Sequence, residues 1–299
     1  MTRVVAIGEC MVELAPADAP GAFRMGFAGD TMNTAWYLRQ LLPATDSVDY
    51  MTVVGRDAVS DQMVGFLSDA GLGVDHVRRH PDRTVGLYMI QLDAGERSFS
   101  YWRGQSAART LAQDPAHLDA ALAGQPMAYV SGITLAILSP DDRTRLLDAL
   151  QDLRGRGGRV VFDPNLRPRL WEDATTMTDT VMAAARLSDT VLPSHDDEAT
   201  WFGDADPAAT AQRYAAAGAG CVIVKNGAGP MVAFEDGQHS AHEPVPARAI
   251  VDTTAAGDSF NAAYLAARLQ GAPLAAAVRA GATLAARVIG ARGALIRQD

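Results

Sequence analysis

This chain of 299 residues has little cysteine: Cys10 and Cys221 are its whole complement, with no metal-type pairing. That excludes a disulfide scaffold and a cysteine-ligated zinc site, and each is read as a small buried hydrophobe. A positive balance is also lacking. The formal net charge is −9, which argues against nucleic acid or an anionic membrane as a partner, while anionic small ligands respond to local fields instead. The longest apolar stretch, Met127 to Leu138, is too short to span a bilayer and is broken by Ser131 and Gly132. No signal-peptide pattern precedes the apolar segment Val4 to Ile7, so a cytoplasmic protein is expected. Two phosphate-binding patterns are missing as well: there is no Gly-x-x-x-x-Gly-Lys-Ser/Thr, and no Gly-x-Gly-x-x-Gly after the first strand. What is present is an ordinary globular balance, 48% hydrophobic and 20% charged, long enough to bury one large core.

From Met127 onward short β-rich runs alternate with helical patterns, the mark of βαβ units around a mostly parallel sheet. Ala128 to Val130, Arg159 to Asp163, Thr190 to Leu192 and Cys221 to Val224 read as strands. Helices are predicted from Ser139-Pro140 through Leu153, over Thr176 to Leu187, and in a region running through Ala217; two alanine-rich ones follow, Gly257 to Leu269 and Leu274 to Ile289. The first hundred residues differ. Thr84 to Leu92 and Ser98 to Trp102 flank Asp93-Ala94-Gly95-Glu96 as a β-hairpin, and with the extended stretch Met11 to Phe27 could form either a small projecting sheet or an edge of the main one. A projecting sheet would serve as a lid over a cleft.

Ligand-type residues collect after strand ends, where open α/β sheets bind. Asp163-Pro164-Asn165 leads into Arg167 and Arg169 on a proline-stiffened loop, suited to a carboxylate or phosphate. Lys225-Asn226-Gly227-Ala228-Gly229 offers backbone close to a nucleotide, or else a plain hairpin loop. Gly29, Asp30 and Asn33 open a helix and suit the hydroxyls of a polyol, though the same letters make a simple N-cap. On the hairpin, Tyr101 and Arg103 share one face. Ser194-His195-Asp196-Asp197-Glu198 starts a helix with three acids that could order Mg²⁺ through water or could only complement the helix dipole. The segment Val251 to Phe260 is the most telling: Ala255-Ala256-Gly257 leads unobstructed backbone N–H groups to a helix start, and Asp258 stands beside them. A carboxylate there can take a proton from an attacking hydroxyl, or can merely cap the helix.

These segments, in this order and over nearly the whole chain, resemble the ribokinase-like (PfkB) carbohydrate kinase family. Gly29-Asp30-Thr31-Met32-Asn33 resembles its N-terminal signature and Asp252 to Asp258 its C-terminal one. Ile7 to Leu14, Gly86-Leu87-Tyr88, Tyr101-Trp102-Arg103, Ser131 to Pro140 and Arg167 to Trp171 resemble the branch acting on 2-keto-3-deoxygluconate.

The resemblance implies a ribokinase-like α/β fold over residues 1–299 as one domain, with a β-sheet lid from about 11–33 and 84–105, and ATP-dependent phosphorylation of that acid sugar at its terminal hydroxyl. Fructose, ribose or the galactonate epimer is the alternative substrate, and a non-catalytic sugar- or nucleotide-binding regulator the alternative class. By the same resemblance Asp258 is the base, and Ala255, Ala256 and Gly257 form the anion hole. Gly29, Asp30, Asn33, Tyr88, Tyr101, Arg103 and Arg167 hold the acid sugar. Asn165, Arg167, Ser194, Lys225, Gly227, Gly229, Ala256 and Gly257 line the ATP site, with Mg²⁺ ordered by Asp197 or Glu198, a monovalent cation as a further cofactor, and a homo-oligomer as the assembly. Three residues depart from the wider pattern: Ala255 and Ala28 stand where glycine is common, and Ser194 where many relatives carry asparagine.

Overall fold

In the computed structural model, which describes residues 2–17, 19, 21–93 and 96–296, the strands in chain order are β1 (Arg3–Ile7), β2 (Met11–Pro16), β3 (Phe23–Ala28), β4 (Ser47–Val54), β5 (Val77–Arg79), β6 (Gly86–Asp93), β7 (Glu96–Trp102), β8 (Met127–Ser131), β9 (Arg159–Asp163), β10 (Thr190–Val191), β11 (Cys221–Val224), β12 (Met231–Glu235) and β13 (Gln238–His242). The helices are α1 (Asp30–Leu41), α2 (Ala58–Asp69), α3 (Pro115–Leu122), α4 (Gly132–Ile137), α5 (Pro140–Gly155), α6 (Ala174–Arg186), α7 (His195–Phe202), α8 (Pro207–Ala216), α9 (Ala256–Leu269) and α10 (Leu274–Val288). None of these helices is long and apolar enough to cross a membrane.

Among the described residues nine strands form the main sheet in the order β13-β12-β11-β10-β9-β8-β1-β4-β5. All its pairings are parallel except those of β12 with β11 and with β13. Its central strands are uninterrupted apolar runs because both faces are covered. In β1, for example, Val4 and Ala6 enter one core and Val5 and Ile7 the other, on opposite faces of the sheet. The first core is closed by α1, α2, α9 and α10, the second by α3 to α6 and α8. Phe162 of β9 is fully buried in the second, and truncating it to alanine would cost about 3–5 kcal/mol.

Strands β3-β2-β6-β7 make a separate four-stranded sheet. It projects from the C-terminal ends of β1 and α1's entry, so the hairpin and the stretch from Met11 belong together as the sequence suggests. The turn residues Ala94 and Gly95 lie outside the described residues. Two differences from the sequence reading stand out. The first eighty residues also supply β1, β4 and β5 to the main sheet, interleaved with the projecting strands. The helical region ending near Ala217 is two helices, α7 and α8, separated at Gly203 in a left-handed C-cap.

Candidate active site

Helix starts divide this molecule into two kinds. Helices α2 to α6 and α8 carry an Asp or Ser whose side chain accepts from their own first turn. At α1, α7 and α9 no side chain caps the first turn, and their starts fall at Gly29, Ser194 and Ala255. Helix α10, starting at Pro273, is uncapped too, but it opens away from the strand ends. The first turns of α1, α7 and α9 therefore keep N–H groups available to a ligand at the positive end of the dipole, except that His195 N–H donates to the Lys225 carbonyl at 2.8 Å and Ala256 N–H to the Thr253 carbonyl at 3.3 Å.

At α9 Ala255 itself is left-handed, with φ 59°, which turns the chain so that Ala256 and Gly257 lead into the helix. That conformation explains why glycine is common there: in an L-residue it costs roughly 1 kcal/mol. Asp258 lies in the first turn instead of at the cap, and its Oδ2 accepts from Asn33 Nδ2 at 2.8 Å. Thr34 Oγ1 donates to the Asp258 carbonyl at 3.3 Å, so the starts of α1 and α9 are stitched to each other. Gly29 lets the start of α1 lie against the chain leaving β1, since a side chain there would collide with the Glu9 carbonyl.

Three carboxylates gather here. Removal from water, and then the nearby Asp30, push the Asp258 carboxyl up to about 8. Burial likewise raises Asp30, against the pull of its hydrogen bonds from Ser131 and from Asn165 Nδ2, the latter at 3.0 Å. The third, Asp163, accepts from Asn261 Nδ2 at 2.6 Å and lies 3.4 Å from Lys225 Nζ. Lys225 Nζ also donates to Asn261 Oδ1 at 3.1 Å and would stand 3.5 Å from a methyl group added at Gly257. Lys225 is the only lysine in a chain with 26 basic residues. Its ammonium therefore sits between the acids and the uncapped start of α9, where a transferring phosphate would dock.

On the projecting sheet, Tyr88 and Tyr101 are cross-strand partners with ring centroids 5.8 Å apart, and the Tyr88 hydroxyl donates to Glu13. Tyr101 is 54% exposed. Arg103 is buried and paired with Glu9. Arg167 is half-exposed, donates to the Leu166 carbonyl at 2.6 Å and pairs with Asp197 at 3.6 Å. Ser194 lies beside Lys225 through a parallel bridge, and Gly227 and Gly229 form the turn that joins β11 to antiparallel β12.

Glu198 is turned elsewhere. Although it sits next to Asp197, it is fully buried and accepts from Arg213 at 2.6 Å and from the Tyr214 hydroxyl at 2.9 Å, tying α7 to α8. Helical rotation puts neighbours on different faces, so of the two acids Asp197 alone faces the Arg167 and Lys225 side. Among the described residues no three His, Cys, Asp or Glu side chains cluster as a metal cage. The donor set suits a cation that arrives with phosphate oxygens and keeps its waters, with Asp197 and Asp163 beside it.

Asp163 was read from sequence only as the first residue of a ligand-rich turn, and neither Asn261 nor Tyr129, whose hydroxyl accepts from Asn261 Nδ2 at 3.0 Å, was singled out. Asn261 had a signal, since it lies one helical turn beyond Asp258 on α9, whereas Tyr129 reads as an ordinary strand residue.

An uncapped helix start, a high-pKa carboxylate at it, a lone lysine and a small sheet over the cleft define an α/β phosphoryl-transfer enzyme. The chain belongs to the pfkB family of carbohydrate kinases, whose model matches residues 1–298. It is 38% identical to the 2-dehydro-3-deoxygluconokinase of Dickeya dadantii, over 98% of this chain and 96% of that one. The crystal structure of a PfkB protein from Polaromonas sp. JS666 superposes with a TM-score of 0.86 at 26% identity, covering 97% of this chain and 96% of the other. A putative ribokinase II from E. coli, in complex with ATP and Mg²⁺, has the same fold at a TM-score of 0.84 and 23% identity, covering 98% and 94%.

Proposed function

We propose that this protein transfers the γ-phosphoryl group of ATP to the terminal hydroxyl of 2-keto-3-deoxygluconate, giving 2-keto-3-deoxy-6-phosphogluconate. The observation that carries the reading is the meeting of Asp258, Asn33 and Lys225 at the start of α9. Residues 1–299 act as one kinase domain, with 11–33 and 84–105 as its lid.

In the reaction the sugar hydroxyl gives its proton to the Asp258 carboxylate as its oxygen bonds to the phosphorus, and the bond to the ADP oxygen breaks with its electron pair leaving on ADP. Asn33 holds the carboxylate's orientation. The N–H groups after Ala255, on Ala256 and Gly257, together with Lys225, meet the charge on the moving phosphoryl group. When bound, Mg²⁺ neutralises phosphate charge, and Asp197 and Asp163 would hold it. Gly29 and Asp30 border the sugar end; Asn165, Ser194, Gly227 and Gly229 border the nucleotide. Tyr88, Tyr101, Arg103 and Arg167 select the acid sugar, because an anionic substrate gains from guanidinium groups that a neutral hexose would not use. Closure of the lid excludes water as a competing acceptor.

A homo-oligomer belongs to this reading, supported by Phe23, Met25 and Trp102, which are exposed on one face of the lid. A monovalent cation and a cytoplasmic site of action rest on the family likeness, and activity in potassium against choline salts reads out the first. The central test is a coupled ADP-release assay across keto-deoxy acids and neutral sugars. The acid sugar is expected to give the highest kcat/KM, and a faster neutral hexose would sink the assignment. Since Lys225 is the single lysine, ATP should also shield its side-chain amine from an amine-reactive reagent.

A further inference from the structure

The chain crosses between the main sheet and the lid four times, and the crossings converge on one residue, Glu9. It enters the lid through Gly8-Glu9-Cys10, returns at Gly29, re-enters at Gly86 and leaves at Arg103. The Glu9 carbonyl occupies the space a side chain at Gly29 would need, and a methyl at Gly86 would sit 2.9 Å from Glu9 Oε1 and 3.2 Å from the Arg103 Cβ. Arg103 Nη2 is ion-paired with Glu9 Oε2. The Glu9 side chain is 1% exposed and that of Arg103 10%.

The pair is only half made. An arginine and a carboxylate that serve structure alone satisfy each other best as a two-point fork. Here the contact is through one oxygen and one nitrogen, and both Glu9 Oε1 and Arg103 Nε are buried without a hydrogen-bond partner. Leaving a donor and an acceptor unmatched side by side in one buried pair is costly, and it persists only where the surroundings hold it. The glycine crossings supply that hold, because they let three backbone segments close around Glu9. Burial of the pair also leaves Arg103 no freedom to swing, so its guanidinium is aimed from the base of the lid by its partner.

We propose that Glu9 is the positioning residue of the lid: through its contact with Nη2 it fixes the Arg103 guanidinium in the orientation that meets the anionic end of the sugar. The inference rests on the reading above, in which Arg103 helps to select an acid sugar. Glu9 touches no reacting atom. It acts through Arg103, by setting the guanidinium plane and by fastening the lid's chain crossings to the end of β1.

The test compares 2-keto-3-deoxygluconate with its neutral carboxamide in the wild type and in Glu9→Gln, which keeps the side-chain volume. Wild type is expected to favour the acid over the carboxamide by at least about 10-fold in kcat/KM, the value of one good charged contact. In Glu9→Gln the preference should fall to within about 3-fold, through a higher KM for the acid, while the KM for ATP stays within about 2-fold. Glu9→Asp should recover part of it. A residue that only stabilised the fold would lower turnover of both substrates alike, and an unchanged preference in Glu9→Gln overturns the proposal while the acid-sugar reading stands. Should the wild type itself show no preference, the selectivity assigned to Arg103 falls, and this proposal with it. If Glu9→Gln does not fold, Arg103→Met serves instead, and retention of the acid preference there has the same overturning force.

Discussion

The floor of the site and the lid above it are built on opposite electrostatic terms. On the floor, Asp30, Asp163 and Asp258 share a region with Lys225 as the cation at the start of α9, and Asn33, Asn165 and Asn261 supply the hydrogen bonds. On the projecting sheet Phe99 and Tyr101 stand exposed beside the buried Tyr88, while Arg103 is held below the surface by Glu9. Removal from water, and then the nearby Asp30, raise the proton affinity of Asp258, which is what a base needs; in the proposed function, aromatics and a pinned guanidinium on the lid would grip a ligand without disturbing that balance. The chemistry and the choice of substrate are thus separable, and each can be broken alone.

The largest effect should come from Asp258→Asn, with kcat lowered by at least ~10²-fold, as for loss of a general base. The same variant should be more stable near neutral pH. With the folded carboxyl at about 8 against 3.8 ordinarily, the folded protein holds a proton that the unfolded chain has released. Stability from this group is therefore fully present below the ordinary value and is lost as pH rises towards the raised one. Asparagine escapes that loss, and a rise of roughly 1–4 °C in Tm by calorimetry is expected.

Next is Lys225→Met, for which ~10- to 10²-fold lower kcat is expected in steady-state assays. Lys225→Arg should rescue little of it, because a planar fork does not fit the space that one ammonium shares with Asp163, Asn261 and Gly257. Full activity in Lys225→Arg would contradict the picture of a confined point charge.

The pH profile sharpens the contrast. On the acid side kcat/KM for the sugar should climb as Asp258 loses its proton, with a midpoint near 8 in the free enzyme, and Asp258→Glu should move that midpoint. A flat profile from pH 6 to 9 would count against Asp258 as the titrating base. Tyr101→Ala breaks the other half: the KM for the acid sugar should rise by about 5-fold with kcat nearly intact, since a lid contact contributes to binding. The smallest effect belongs to Ala255→Gly. Relief of the left-handed alanine and the added freedom of glycine oppose each other, so Tm should change by no more than about 2 °C.

Much of this arrangement could be read from the chain. Strands Arg159–Asp163 and Cys221–Val224 coincide with apolar runs bounded by polar residues, because a strand covered on both faces has no room for anything else. The starts of α1 and α9 stand within one residue of their glycine and alanine punctuation. Less legible was the first third, where main-sheet strands and lid strands alternate in sequence: β1 and β2 are both apolar-rich, and only β1 has helices on both sides. Glu198 shows the same limit. Its neighbour Asp197 is chemically near-identical, and the turn of α7 sends one towards Lys225 and the other towards Arg213.

By itself the sequence determined the family and with it the reaction, since the Ala-Ala-Gly-Asp turn, the sugar loop and the arginines, each open to a plainer reading alone, occur together and in the family's order. Tertiary structure alone decided which groups meet. Asn33 and Asp258 are 225 residues apart, Glu9 and Arg103 are 94 apart, and both pairs form because separate crossings of the chain converge at the same end of one sheet. The proton affinity of Asp258 was decided there too, because it depends on the water excluded and the charges gathered around it, and neither is a property of the ten residues in which it is written.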